Sequence, residues 1–115
     1  MPARRSMLAI AFLTAVSFAG TARAAEPDAA KIYAKTCALC HGPEGQPNEM
    51  FAKMGVRSFK DPEWQKASPD AQIEKSIREG KKGTLMASFE KQLTPEEIKA
   101  LVAYVRKLGP PAPAK

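Results

Sequence analysis

Few side chains in this chain of 115 residues can bind a soft metal ion, since it contains two cysteines and one histidine. A structural zinc site built from cysteine and histidine needs four such ligands and is therefore excluded. We find no internal repeat, no Gly-rich phosphate-binding loop and no segment of alternating strand character. These absences leave one small helical domain, in a size range where a hydrophobic core alone gives little stability.

The first 24 residues contain no acidic side chain and have the layout of an export signal. Two arginines precede an apolar run at residues 7–20, and small residues lead up to Ala24 and Ala25. This order is typical of a secretory signal peptide, so we predict cleavage near Ala24/Ala25. An uncleaved anchor is the alternative, but 14 residues are too few to span a bilayer, and no cysteine is present there to carry a lipid. We therefore expect no stable membrane anchor.

Three segments carry helix signals. The first runs from Asp28 to Leu39, with Asp28 as the cap and apolar residues at three-and-four spacing. The second begins at Ser68-Pro69-Asp70, with Ser68 as the cap and Pro69 in the first turn, and ends at Gly80. The third begins with the capping box Thr94-Pro95-Glu96-Glu97 and ends at Gly109-Pro110.

The remaining chain has few regular signals. Two long stretches, residues 42–67 and 81–93, separate the predicted helices, and loops of this length in a small domain usually serve a function. We predict a signal peptide at residues 1–24, a folded domain at residues 25–109 and a flexible Pro-rich tail at residues 110–115.

One motif carries specific chemistry, the sequence Cys37-Ala38-Leu39-Cys40-His41. The pattern C-x-x-C-H is that of c-type haem attachment. Residues three apart share a helix face, so both sulfurs can reach the vinyl groups at one edge of a porphyrin while His41 binds the iron. A disulfide across this short loop would be strained, and a thioredoxin-type dithiol expects a βαβ setting that the helical pattern lacks. We therefore predict one covalently bound haem c.

The sixth ligand of the iron decides between electron transfer and ligand-binding chemistry. No second histidine exists, so methionine is the natural candidate. Met86 lies far enough along the chain to reach the opposite face of the haem, and we favour it. The alternatives are Met54 and an open position. Met54 is less favoured, because Met50 and Met54 are better explained as one apolar side of a short helical turn that covers the haem or the core.

These features together resemble the class I cytochromes c over about residues 27–108. Tyr33 stands four residues before Cys37, where that family places an aromatic residue, and Leu101-Val102-Ala103-Tyr104-Val105 is similar to its last helix. The resemblance implies an all-α cytochrome c fold, in which three main helices surround one haem and the first and last helices cross. It also implies His41 and Met86 as axial ligands and a periplasmic location.

Some positions depart from the family pattern. Ala29 replaces a glycine of the first helix, and Met86 is followed by alanine instead of proline, which loosens the loop. The resemblance assigns the acceptor of the His41 ring N–H to a proline carbonyl, with Pro47 as the candidate and Pro43 as its rival. It also offers Trp64 as a donor to a haem propionate, although an ordinary half-buried aromatic explains this residue equally well.

We expect a soluble periplasmic one-electron carrier that is not itself an enzyme and is a monomer. The alternatives are a haem c subunit of a periplasmic oxidoreductase complex and, less favoured, a haem-based ligand sensor or weak peroxidase. Basic residues flank the expected haem edge and would attract redox partners with acidic surfaces, unless they are ordinary solvated side chains; they are Lys31, Lys35, Lys53, Arg57, Lys81 and Lys82. Without the first 24 residues the net charge falls from +6 to +3, so nucleic acid is not an expected partner.

Overall fold

The computed structural model describes residues 26–111 and, ahead of them, residues 11, 15–17 and 20. Between residues 26 and 111 the backbone forms helices and no strand, so the predicted all-α class is correct there. The helices are α1 (Ala29–Thr36), α2 (Ala38–His41), α3 (Glu49–Lys53), α4 (Pro62–Ala67), α5 (Asp70–Glu79) and α6 (Pro95–Leu108). Most of the predicted signal peptide and most of the predicted tail lie outside the described residues.

The last helix, α6, follows its sequence signals closely. The Thr94 hydroxyl accepts from the backbone N–H of Glu97 at 3.1 Å, and the Glu97 carboxylate accepts from the N–H of Thr94 at 2.9 Å. This reciprocal pair is the predicted capping box. The apolar stripe of α6 is buried along its length, at Ile98, Leu101, Val102 and Val105.

Helix α5 begins one residue later than predicted. Pro69 is its N-cap, and Ser68 does not cap it with its side chain. Ser68 is instead buried, and its carbonyl accepts a hydrogen bond from Arg106 of α6. The Arg106 guanidinium also bonds to Asp70 Oδ1 at 2.7 Å and to the Gln65 carbonyl at 2.7 Å. The end of α4 and the start of α5 are therefore tied to α6 through one arginine.

The first predicted helix is interrupted at Cys37, which separates α1 from α2. Its start is as predicted, because the Asp28 carboxylate accepts from the N–H of Lys31 at 3.2 Å. Hydrogen bonding continues across the interruption, since the His41 N–H donates to the Cys37 carbonyl at 3.0 Å. Periodicity alone does not reveal such an interruption within one apolar face.

Two short helices lie in the stretch that showed few regular signals. Asn48 caps α3 by accepting from the N–H of Phe51 at 3.0 Å, and Asp61 caps α4 by accepting from the N–H of Glu63 at 2.9 Å. Asn and Asp are favoured caps, and α4 also has proline in its first turn. Both helices are too short for a periodic pattern to identify them.

The core lies where α6 packs against α1 and α5. Tyr33 of α1 and Leu101 of α6 are its most completely buried large side chains. The rings of Tyr33 and Tyr104 lie 5.0 Å apart between centroids, and Ala29 also packs against this core. Helix α1 therefore meets α6 as predicted, with alanine small enough at the approach. Within the described residues, no helix has the length and apolar character needed to cross a membrane.

Candidate functional site

A cavity of about 260 Å³ opens into the core from one side of the molecule. Its walls come from all six helices, the segment after α3 and the loop at residues 81–89, and most of its side chains are apolar. The predicted site residues that line it are Tyr33, Cys37, Cys40, His41, Trp64 and Met86. Pro47 is half-buried and does not line it. One enclosed space therefore brings together all the predicted sulfur and imidazole donors.

The two thiols of the C-x-x-C-H motif line this cavity and are not joined to each other. Cys37 occupies the break between α1 and α2, and Cys40 lies in α2. Burial raises the pKa of the Cys37 thiol above its ordinary value. A protonated, half-buried thiol is a poor redox nucleophile, which argues against a reactive dithiol at this position.

His41 is the last residue of α2, and its ring is held by stacking. The imidazole lies 4.6 Å from the Phe59 ring between centroids, with 17° between the planes. Burial lowers the pKa of His41, so the neutral ring, which is the form that binds metals, predominates at neutral pH.

One nitrogen of the His41 ring, Nδ1, is buried without a hydrogen-bond partner. Buried polar atoms are normally paired, so Nδ1 is an exception among the described residues. Neither the Pro47 nor the Pro43 carbonyl accepts from Nδ1 in this structure. The proline acceptor that the family resemblance assigns to the His41 ring N–H is therefore not found at Nδ1.

Tyr33 connects α1 to the residue that follows His41. Its hydroxyl donates to the Gly42 carbonyl at 2.6 Å, and its side chain is 1% exposed. Burial raises the pKa of this phenol, so it remains a neutral donor. The contact fixes the backbone immediately beyond the imidazole.

Met86 belongs to a loop that folds back onto the end of α5. The Phe89 N–H donates to the Ile77 carbonyl at 3.0 Å, and the Ser88 hydroxyl donates to the Arg78 carbonyl at 2.6 Å. The carbonyls at the end of a helix lack partners within it, and the loop supplies donors to two of them. The half-buried Met86 side chain is thereby brought to the cavity wall.

The other two methionines of the domain are more exposed. Met50 lies in α3 and Met54 directly follows it, at 59% and 54% exposure. Met54 lines the cavity, whereas Met50 does not. The predicted short helical turn is present, although Met50 covers neither the cavity nor the core.

The charged residues that line the cavity are both cations, Arg57 and Lys81. Arg57 donates to Asp61 Oδ2 at 3.0 Å, and this bond lowers the pKa of the Asp61 carboxyl. Of the six basic residues expected to flank the cofactor, these two reach the cavity wall. A positive lining favours a cofactor that carries negative groups.

Several lining residues carry no signal in the sequence. Phe59 stacks on His41 and also contacts Trp64, whose ring lies 4.9 Å away between centroids. Phe59 is 18 positions beyond His41, in a stretch without periodicity, so no local pattern identifies it. The spacing of Ile73 and Ile77 does place them on one helix face, and both are buried at the cavity.

The residues present fit a covalently attached porphyrin. Two unpaired thiols, a neutral imidazole with a buried unpartnered nitrogen and a thioether line the same apolar cavity. Thiols and a histidine at this spacing suit attachment, and histidine with methionine is the ligand set of electron-transferring haem.

Comparison with known proteins agrees with this chemistry. Residues 24–105 match the family described as cytochrome C oxidase, cbb3-type, subunit III. Similar proteins include the cbb3-type cytochrome c oxidase subunit FixP of Bradyrhizobium diazoefficiens, 35% identical over 79 residues, and that of Azorhizobium caulinodans, 36% identical over 80 residues. The matched regions cover 69% and 70% of this chain but 26% of each relative. The chain thus spans about a quarter of their length.

Two solved structures are similar over their whole length. The KustC0563 c-type cytochrome matches with a TM-score of 0.68 and 40% identity, covering 73% of this chain and 100% of that one. A mutant of Kustc0563 matches with a TM-score of 0.65 and 40% identity, covering 71% of this chain and 99% of the mutant.

Proposed function

The chain is a class I c-type cytochrome of the cbb3-type cytochrome c oxidase subunit III family, and on this basis we propose that it passes single electrons between protein partners through one covalently bound haem c. In this proposal Cys37 and Cys40 form the thioether bonds, and His41 and Met86 are the axial ligands. The meeting of these four side chains at one cavity is the observation that supports it.

Haem c supplies an iron that alternates between the ferrous and ferric states. The protein's own residues hold and isolate this group. Cys37 and Cys40 would hold the haem covalently by adding their S–H groups across its vinyl bonds, an addition that loses no atoms. The neutral ring of His41 is ready to bind metal, and the apolar walls exclude water. Methionine opposite histidine raises the potential, which suits an electron carrier.

The surface around the cavity supports docking of a redox partner. Between residues 26 and 111, the large apolar side chains that are exposed all belong to the segments that border the cavity: Leu39, Met50, Met54 and Leu85. Lys81 and Arg57 add positive charge at the same place. A partner whose own apolar contact surface is bordered by acidic residues is the complement, since opposite charge speeds encounter while apolar contact holds the complex.

Two arrangements of this electron transfer are proposed. In the first the protein is a soluble carrier. In the second it is a haem c subunit of an oxidoreductase complex, which is favoured by the match to oxidase subunits of the cbb3 type. Native size measurement and co-purification separate them: a free carrier elutes at its own mass, whereas a subunit elutes with its complex.

The location proposed for the protein is the periplasm, reached by cleavage near Ala24/Ala25. The order of arginines, apolar run and small residues at positions 1–25 supports it. Mass spectrometry of the mature holoprotein tests it, because cleavage there leaves Ala25 as the first residue.

The axial ligand is tested with two methionine variants of the holoprotein. In Met86→Ala we expect the charge-transfer absorption of methionine-bound ferric haem to disappear and the midpoint potential to fall, because methionine ligation raises the potential. Met54→Ala is the matched control, since Met54 lines the same cavity and should leave both properties unchanged. Survival of the absorption in Met86→Ala and its loss in Met54→Ala would reverse the assignment. Strong carbon monoxide binding by the reduced wild-type protein would indicate an open sixth position.

A further inference from the structure

The hydroxyl group of Thr84 lies at the centre of the loop that brings Met86 to the cavity. It donates a hydrogen bond to the Lys81 carbonyl at 2.7 Å and accepts one from the backbone N–H of Met86 at 3.2 Å. A threonine hydroxyl has one proton to donate and lone pairs to accept with, so both bonds form together. The side chain therefore joins the start of the loop to Met86.

Both backbone polar groups of Met86 are held within this loop. Its N–H is bonded to the Thr84 hydroxyl, and its carbonyl accepts from the N–H of Lys81 at 3.0 Å. The N–H of Thr84 donates to the Lys81 carbonyl at 3.1 Å, so that carbonyl accepts twice. Lys81 and Met86 thus close a ring of hydrogen bonds to which Thr84 contributes a side chain.

Packing contributes little to the order of the first half of this loop. Residues 81–85 are all exposed, and Gly83 has the conformational freedom of glycine at φ +78°. Met86 is followed by Ala87, whose φ is not restricted by a proline ring. Met86 itself packs against the core, so the hydrogen bonds at residues 81–86 act together with that packing to set its position.

We infer that Thr84 is a positioning residue for Met86 and that its hydroxyl determines how firmly the methionine sulfur is kept at the sixth coordination position. This inference rests on the proposed role of Met86 as an axial ligand. Without the hydroxyl, the N–H of Met86 loses its partner and the loop moves away from the cavity more often. A competing ligand then gains access to the iron.

Imidazole titration of the ferric holoprotein tests the inference, because imidazole competes with methionine for the iron. Thr84→Val keeps the shape of the side chain and removes both hydrogen bonds. We expect its apparent affinity for imidazole to rise about threefold to tenfold. This factor corresponds to the loss of one neutral hydrogen bond, the one to the N–H of Met86. Its midpoint potential should fall. Thr84→Ser retains the hydroxyl and should return both values close to those of the wild type.

Thr94→Val is the matched control. The Thr94 hydroxyl also accepts from a backbone N–H, that of Glu97, but it lies outside the loop at residues 81–89 and does not line the cavity. An equal rise in Thr94→Val, or no rise in Thr84→Val, would overturn the role of Thr84 and leave Met86 as the ligand. If Met86→Ala retains the methionine absorption, the ligand assignment fails and the inference fails with it.

Discussion

At the scale of single residues, the turn after His41 is held by two neighbours. Tyr33 donates its hydroxyl to the carbonyl of Gly42, which is itself buried. Gly42 has φ +80°, and a Cβ there would lie 1.9 Å from the Gln46 carbonyl oxygen. Only glycine fits this close approach, so the backbone beside the imidazole is fixed by steric exclusion as well as by a hydrogen bond.

We predict that Tyr33→Phe lowers the free energy of unfolding by about 1–3 kcal/mol, since the buried Gly42 carbonyl loses its partner. Guanidinium unfolding of the ferric holoprotein measures this. Tyr104→Phe is the control, because Tyr104 packs beside Tyr33 but is less buried. An equal loss in both variants would show that loss of the bond to Gly42 is not what destabilises Tyr33→Phe.

The same phenol makes stability depend on alkaline pH. Burial raises the pKa of Tyr33 above its ordinary value, so the folded protein keeps the proton at pH values where the unfolded chain loses it. Its contribution is complete below the unfolded pKa of about 10 and is lost as the pH rises above it. Between pH 8 and 11, the free energy of unfolding should fall less steeply with pH for Tyr33→Phe than for the wild type.

The residues of the site that are neighbours in the chain could be predicted from the amino-acid sequence. Cys37, Cys40 and His41 form a local motif whose chemistry depends on spacing, and all three line the cavity. Phe59 could not be predicted, because its contact with His41 depends on how distant segments pack. Pro47, which the family analogy favours, is half-buried and does not line the cavity.

At the scale of elements, the join between α5 and the methionine loop depends on Gly80. This residue ends α5 with φ +73°, and a Cβ there would lie 2.6 Å from the Met86 carbonyl oxygen. The loop therefore passes so close to the helix end that no side chain fits between them.

We predict that Gly80→Ala destabilises the holoprotein more than Gly83→Ala does. Both positions have positive φ, so each variant loses about 1–2 kcal/mol of folding free energy because alanine disfavours the left-handed conformation. Only at Gly80 does the added methyl group also collide with the backbone of Met86, because Gly83 has no neighbour within 4 Å of its Cβ position. Guanidinium unfolding and the methionine absorption measure the two effects. Equal behaviour of the two variants would contradict the close approach.

The elements differ in how far local signals identify them. Helix α6 combines a capping box with a continuous apolar stripe, so its bounds follow from nearby residues alone. Helices α3 and α4 have good caps at Asn48 and Asp61 but only five and six residues, too few for periodicity to act as a second signal. The interruption at Cys37 leaves the apolar face intact, so no pattern of residue types marks it.

At the scale of the whole molecule, the cavity and the core are largely the same region. Between residues 26 and 111, six of the nine buried hydrophobic residues also line the cavity: Tyr33, Phe59, Ile73, Ile77, Leu101 and Val105. These side chains bury little apolar area against each other where the cavity separates them. The cofactor therefore supplies a large share of the apolar contact on which folding depends.

We predict that the chain without haem is largely unfolded at room temperature. The double variant Cys37→Ser and Cys40→Ser, produced without covalent haem, should show weak helical circular dichroism and no cooperative thermal transition. The wild-type holoprotein is the control and should melt cooperatively. A compact haem-free chain that melts cooperatively would contradict this dependence on the cofactor.

The contact between α1 and α6 also bears on how the chain folds. It joins the two ends of the domain, so nearly the whole intervening chain must be closed into a loop before the contact forms. The helix that leads into Cys37 and Cys40 is synthesised before α6. We therefore expect the haem to be attached to a chain that is still open, and the docking of α6 on α1 to be the last step of maturation.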